Sequence, residues 1–317
     1  MNKKPSIKFK RAAVVGVGLI GSSLARALRE RDVAETVIGV DQDEDILARA
    51  KKIGVIDHGF SSLDEGVKGA DLIILSTPVG ALAEICRKVS DCAEDGALII
   101  DVGSVKGVVL DAAKALPDRI FFVPCHPVAG TEQSGPEAGF ASLFEKRWCI
   151  ITPLERNDAP YLEAVKQATG LWTAIGAEVE VMDAAHHDLA LAVTSHIPHL
   201  IAFTMVGAAD DIESVAHGEV VKYSAGGFRD FTRIAASDPV MWRDVFLNNR
   251  EAVLEVLGRF SEELAVMQRA IRWGDADVLY NAFSRGRSLR RAIVDAGQET
   301  AAPNFGRDEP HDSGEES

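Results

Sequence analysis

The segment Arg11–Gly21, RAAVVGVGLIG, constrains the fold more than any other stretch of the chain. An apolar run, Ala12–Val15, passes without a break into Gly16, Gly18 and Gly21. The spacing is G-x-G-x-x-G, and the residues that follow, SSLARALRE, read as a helix. Strand, glycine turn and helix in that order open a Rossmann-type dinucleotide-binding sheet. The first glycine permits a tight turn, the second lets backbone approach a pyrophosphate, and the third lets helix pack on strand. Unpaired N–H groups at the helix start then face the phosphates. A second apolar run, Thr36–Val40, ends in Asp41, twenty residues beyond Gly21, where a ribose-binding carboxylate belongs. Asp41 would accept hydrogen bonds from the ribose hydroxyls and repel a 2′-phosphate. Gln42, Asp43 and Glu44 supply no arginine to hold one. The expected cofactor is therefore NAD rather than NADP. Leu19 and Ile20 in the loop, and Ser76, Thr77 and Pro78 after a later apolar run, are assigned to the same cofactor.

The first half of the chain alternates apolar runs with amphipathic stretches. The runs are Ala12–Val17, Val37–Val40, Leu72–Ser76, Leu98–Val102, Ile120–Val123 and Trp148–Ile151, with Glu178–Val181 closing the domain. Such alternation predicts an α/β fold, a doubly wound parallel sheet with helices on both faces. From Met182 onward the apolar period is helical, and Pro198 should kink the long helix in which it lies. The expected organisation is a dinucleotide-binding domain over 1–181, an all-α substrate and dimerisation domain over 182–297, and an acidic, disordered tail over 298–317. Helices carrying this much apolar surface predict a homodimer.

Bulk properties narrow the function. The chain has 317 residues and a net charge of −14, which argues against nucleic-acid binding. An anionic substrate needs a local basic pocket in such a field. The four cysteines, Cys86, Cys92, Cys125 and Cys149, form no C-x-x-C pair. With no signal peptide either, a cytoplasmic protein with reduced thiols and no metal is expected. Leu189–Ala209 is long and mostly apolar but carries Thr194, Ser195, His196, Pro198 and His199, so a buried helix is preferred to a membrane span.

Three clusters could carry chemistry. The first joins DVGSVK to PCHPVAGTEQSG, placing Ser104 and His126 after strand ends on the edge where the cofactor must lie. His126, read as a loop residue, can take a hydroxyl proton as hydride leaves carbon. Ser104 could bridge substrate, histidine and nicotinamide, or simply cap the next helix. Lys106 reads as a solvated helix residue. In the second cluster, VTSHIPH, His196 and His199 project from nearly the same side of a helix. Two histidines with no third ligand are a poor zinc signal and suit a substrate carboxylate or carbonyl. In the third, SAGGFRDFTRIAASDPVMWRD, Arg229 and Arg233 suit carboxylate recognition, with Gly226 and Gly227 as a tight bend positioning them. Trp242 could be core, interface or pocket wall.

Taken in order, GVGLIGSSLA, DVGSVK, HPVAGTEQSG, TSHIPH and GGFRDFTRIAASDPVMWRD resemble the prephenate/arogenate dehydrogenases of tyrosine biosynthesis. The resemblance covers about Ala12–Ala296. It implies oxidative decarboxylation of a cyclohexadienol: hydride passes from the hydroxyl-bearing carbon to NAD, the ring carboxylate leaves as CO₂, and the ring becomes aromatic. It also implies His126 as the base and Ser104 as its neighbour on the substrate hydroxyl. His196 and His199 match the helical pair, with His199 near the substrate side chain. Arg233 matches a carboxylate anchor, Thr131 and Glu132 line or gate the pocket, and Trp242 lies near the dimer interface. Two other readings are a 3-hydroxyacid-type dehydrogenase and a non-catalytic NAD-sensing protein. The former would want a lysine base on the helix after the sheet, and Asp183–Met205 contains none. The latter leaves the histidine, serine and arginine clusters without a purpose.

Overall fold

The computed structural model describes residues 7–114, 116–131, 133–216 and 226–295, without the side chains of 212–216. Glu132 and the 298–317 tail lie outside the described residues. Contacts divide the chain into two compact units, Met1–Val256 and Leu257–Ser317.

In the first unit a six-stranded parallel sheet has the order β3-β2-β1-β4-β5-β6. Its strands are β1 (Phe9–Val15), β2 (Ala34–Val40), β3 (His58–Phe60), β4 (Leu72–Leu75), β5 (Leu98–Asp101) and β6 (Phe121–Val123). Chain order reverses between β1 and β4, the point at which a doubly wound sheet opens a crevice at its carboxyl edge. Alternate residues of β1 enter opposite cores. Ala12 and Val14 pack with Leu24, Leu28 and Trp172, while Ala13 and Val15 pack with Leu82, Val89 and Trp242. Burial on both faces explains why the central strands read as unbroken apolar runs. β3 gave no such signal, because it is a three-residue edge strand with His58 and Gly59 exposed.

Two expected strands do not join this sheet. β8 (Trp148–Ile151) and β9 (Glu178–Val181) form a second sheet with β7 (Cys125–Pro127), in the order β7-β8-β9. Pro124 is the cause. It has no N–H, so the ladder between β5 and β6 cannot run past Val123. The chain turns there and pairs antiparallel with β8, setting His126 opposite Ile150. His126 is thus a strand residue and not a loop residue.

Beyond β9 every described element is helical. α7 (Ala184–Leu191) continues through a π-turn, Ala192–His196, into α8 (Ile197–Ala216). The wide turn lies just ahead of Pro198 and absorbs the ring and missing N–H that an α-turn would not accommodate. Helices Pro239–Asn248 and Arg250–Trp273 follow, separated by Asn249. Gly226 and Gly227 do not form a bend: they lie in the helix Gly226–Thr232. The stretch 184–211 is long and apolar enough to cross a membrane, an 18-residue window within it having mean hydropathy 1.6.

The second unit holds the rest of Arg250–Trp273 and the helix Ala276–Asp295. Gly274, at φ +68°, ends the first of these, and Asp275 caps the second through Val278 N–H. Leu264, Ile271, Trp273, Tyr280, Phe283 and Leu289 are all exposed.

Candidate active site

At the carboxyl edge of β1, each glycine has a distinct job. Gly16 adopts φ +90°, and a Cβ there would lie 2.5 Å from the Ser76 carbonyl oxygen. At Gly21 a Cβ would lie 2.0 Å from the Gly16 carbonyl oxygen. At Gly18 it would meet nothing within 4 Å. Gly16 and Gly21 are therefore required by the protein's own packing, whereas Gly18 leaves open space over the start of helix α1 (Leu19–Glu30). That helix has no side-chain cap, so its first N–H groups are available to a ligand. Leu19 and Ile20 are half-buried at its first turn. Ser76 braces the loop, its hydroxyl donating to the Gly16 carbonyl at 2.5 Å. Thr77 Oγ1 is buried without a partner, and Pro78 is exposed at the start of helix α4 (Val79–Cys92). Asp41 follows β2 and accepts from Val17 N–H at 3.0 Å and Asp43 N–H at 3.1 Å, which holds its carboxylate beside the glycine loop. These features fit a dinucleotide. The loop also separates two substitutions. Gly18→Ala should leave thermal stability within a few degrees of wild type and weaken NAD⁺ binding, while Gly21→Ala should destabilise the fold itself. Titration calorimetry and thermal melts check both, and equal melting losses would contradict the assignment.

His126 lies on β7 at the end of a hydrogen-bonded chain. Its Nδ1 is 2.8 Å from His187 Nε2, and His187 Nδ1 is 2.8 Å from Asp188 Oδ1. The carboxylate sets the tautomers along this chain. Burial pushes the Asp188 carboxyl up, but the His187 bond and the N–H groups of Lys106 and Gly107 outweigh it and hold it below its ordinary range. As an acceptor, Asp188 requires Nδ1–H on His187. His187 Nε2 then accepts from His126 Nδ1–H, and His126 Nε2 keeps the lone pair. Burial, His187 and Lys106 together depress the His126 pKa well below that of an ordinary histidine. The imidazole is neutral at physiological pH and ready to accept a proton.

Lys106 is not a solvated residue. Its ammonium is completely buried, bonded to Asp101 Oδ2 at 2.5 Å and to the Cys125 carbonyl at 2.6 Å. Asp101 in turn accepts from Cys125 N–H at 3.1 Å and Gly103 N–H at 2.8 Å. This replaces the ladder that Pro124 interrupts and fixes the strand carrying His126. Nor does Ser104 cap the next helix, α5 (Gly107–Ala113). Asp188 does so, accepting from Lys106 N–H and Gly107 N–H at 2.8 Å each. Ser104 is half-buried and makes no hydrogen bond among the described residues, including to His126.

The second cluster packs around Trp242, which is buried in its own chain. His199 stacks on the indole at 3.7 Å, and His196 meets it edge-on at 6.1 Å. His199 Nδ1–H donates to the Ser195 carbonyl at 2.8 Å, leaving Nε2 as an acceptor. His196 is fully buried, and burial above all lowers its pKa to about 4. Burial also lowers His199, and the Arg233 cation adds to this, which places Arg233 in the electrostatic surroundings of His199. Arg233 is exposed and begins a 3₁₀ turn, while Arg229 is exposed on the helix before it, so the two do not share one continuous helix. Thr131 is exposed, its hydroxyl accepting from Gln133 N–H at 3.2 Å. Sequence reasoning missed His187, Asp188 and Asn249. The run HHD at 186–188, near the start of the helix that follows the last strand, was the available signal for the first two.

Comparison with known proteins agrees over nearly the whole chain. The prephenate dehydrogenase nucleotide-binding domain matches residues 24–181, and the prephenate dehydrogenase dimerization domain matches 183–285. A cyclohexadienyl dehydrogenase of Zymomonas mobilis is 38% identical over 90% of this chain and 96% of its own. A prephenate dehydrogenase of Bacillus subtilis is 35% identical over 92% of this chain and 78% of its own. The crystal structure of Aquifex aeolicus prephenate dehydrogenase, in complex with hydroxyphenyl propionate and NAD⁺, superposes with a TM-score of 0.83 at 34% identity. It covers 91% of this chain and 99% of that one. With both domains matched in order and relatives of this identity covered over most of their length, the chain belongs to the prephenate dehydrogenase family.

Proposed function

We propose that this protein is an NAD-dependent dehydrogenase that oxidatively decarboxylates prephenate, arogenate or both, as a step in making tyrosine. The observation that carries the reading is the Asp188–His187–His126 chain, which leaves an unprotonated Nε2 on a buried histidine of a chain that also carries a dinucleotide loop. Gly16, Gly18, Leu19, Ile20 and Gly21 would hold the pyrophosphate, Asp41 the ribose hydroxyls, and Ser76, Thr77 and Pro78 the nicotinamide half. NAD⁺, when bound, supplies the hydride acceptor. His126 Nε2 takes the hydroxyl proton as the hydride departs from the same carbon. The C–CO₂ bond then breaks, its electron pair enters the ring, which becomes aromatic, and the pair displaced onto the former carbonyl oxygen takes back the proton held by His126. Ser104 hydrogen-bonds the reacting hydroxyl. His196, His199, Trp242, Thr131 and Glu132 shape the pocket, and Arg229 and Arg233 supply positive charge for a carboxylate in an acidic protein.

We read 1–181 as the cofactor domain and 182–297 as the substrate and dimerisation domain. The matched dimerization model and the exposed apolar residues of the second unit support a homodimer. We place the protein in the cytoplasm, without a membrane span. The apolar stretch 184–211 carries Asp188 and His187, whose bonds to α5 and His126 would have to break before it entered lipid.

Absorbance at 340 nm tests the activity. NAD⁺ with prephenate or arogenate should give NADH, with kcat/KM for NAD⁺ above that for NADP⁺ because Asp41 repels a 2′-phosphate. Equal or better use of NADP⁺ would remove Asp41 from this role, and no turnover of either substrate would refute the function. Arg233→Ala should raise KM for the organic substrate far more than it changes kcat, leaving NAD⁺ affinity intact. Lysine should rescue only in part, since a point charge lacks the guanidinium fork. Equal weakening of both ligands would make Arg233 structural.

A further inference from the structure

Asn249 joins the two histidine clusters and has no role in the reaction just described. It is buried at the break between helices Pro239–Asn248 and Arg250–Trp273. Its Nδ2 is 2.8 Å from the Asp188 carbonyl oxygen and 3.1 Å from His196 Nδ1. The carbonyl can only accept, so the atom facing it is the amide nitrogen. One amide hydrogen goes to that carbonyl, and the other points at His196 Nδ1, which must accept it. A neutral imidazole that accepts at Nδ1 carries its proton on Nε2. His196 Nε2 is buried with no hydrogen-bond partner. Protonating the ring would set an Nδ1–H against the amide N–H₂, two donors face to face.

This matters because His196 is among the groups whose charge bears on His126, with His187 and Lys106. His196 itself is faced by Asp188, His187 and His199, and by the Trp242 ring. Asp188 favours a cation at His196, whereas the two histidines oppose it. Burial and the Asn249 amide side with the histidines.

We propose that Asn249 is a positioning residue: by donating both amide hydrogens it locks His196 as the neutral Nε2–H tautomer and keeps a second cation away from the base His126. The proposal rests on the dehydrogenase reading, and its test separates the two. In protein labelled with ¹⁵N and ¹³C at histidine and saturated with NAD⁺, ring shifts report the tautomer with no turnover needed. His196, assigned by loss of its signal in His196→Gln, should be Nε2–H and should not titrate between pH 6 and 8. Asn249→Asp keeps the shape but replaces the donor with an acceptor. It should bring His196 into titration in that range, and the His196 cation, which opposes protonation of His126, should move the acid limb of kcat/KM downward by about one pH unit, a roughly tenfold change on the limb. Asn249→Leu, which removes the donor alone, should shift the limb in the same direction, and NAD⁺ affinity should be unchanged in both. An Nδ1–H tautomer in the wild-type protein overturns the proposal even if neither variant folds. So does a wild-type acid limb in a folded Asn249→Asp. Wild-type protein that turns over neither substrate defeats the dehydrogenase reading, whichever tautomer the spectrum reports.

Discussion

His126→Asn should lower kcat by about 10²–10⁴-fold, the usual worth of a positioned general base. The variant should fold, because asparagine can still donate to His187 Nε2 from the same strand position. NAD⁺ affinity should hold, since the glycine loop, Asp41 and Ser76 are untouched. The pH profile carries a second signature. In the folded protein the His126 pKa is depressed, first by burial and then by His187 and Lys106. The base therefore stays unprotonated as pH falls through 6.5, the ordinary histidine value, and the acid limb of kcat/KM should lie well below that point. Steady-state kinetics from pH 5 to 9 measure both effects. Near-normal kcat in His126→Asn at neutral pH would end the assignment, as would a wild-type limb above 6.5 that the substitution leaves in place.

Lys106→Met should destabilise the protein by about 3–5 kcal/mol, the range seen when one partner of a buried ion pair is removed. Both partners have no exposed side-chain surface, and Asp101 would be left buried without its cation. The Cys125 carbonyl would lose its donor as well. Because Cys125 precedes His126, activity should fall even where the variant remains folded. Urea unfolding measures the loss. The double variant Lys106→Met/Asp101→Asn should recover much of it, since no charge is then stranded. A loss below about 1 kcal/mol would mean that water or a rearranged neighbour takes the place of the ammonium, and the pair would not be what fixes this strand.

The cofactor half of the site was legible in the sequence because its determinants are local. Gly16, Gly18 and Gly21 act within one turn between a strand and a helix, and their reasons for being glycine follow from backbone geometry alone. Asp41 was legible by its distance from that turn. The helical half was legible as periodicity, and Pro198 as a disturbance of the helix, though not as the π-turn that the chain uses to absorb it.

The catalytic surroundings could not be read in the same way, because each part depends on contacts between distant segments. Lys106 looks solvated in a list of residues and is buried only because β5 and β7 close over it. Ser104 looks like a helix cap until Asp188, eighty-two residues beyond Lys106, takes that place. Sequence alone determined that this chain folds as a parallel nucleotide-binding sheet followed by helices. Only tertiary structure decided which nitrogen of His126 holds a lone pair, since a tautomer is set by hydrogen-bond partners that local sequence does not specify.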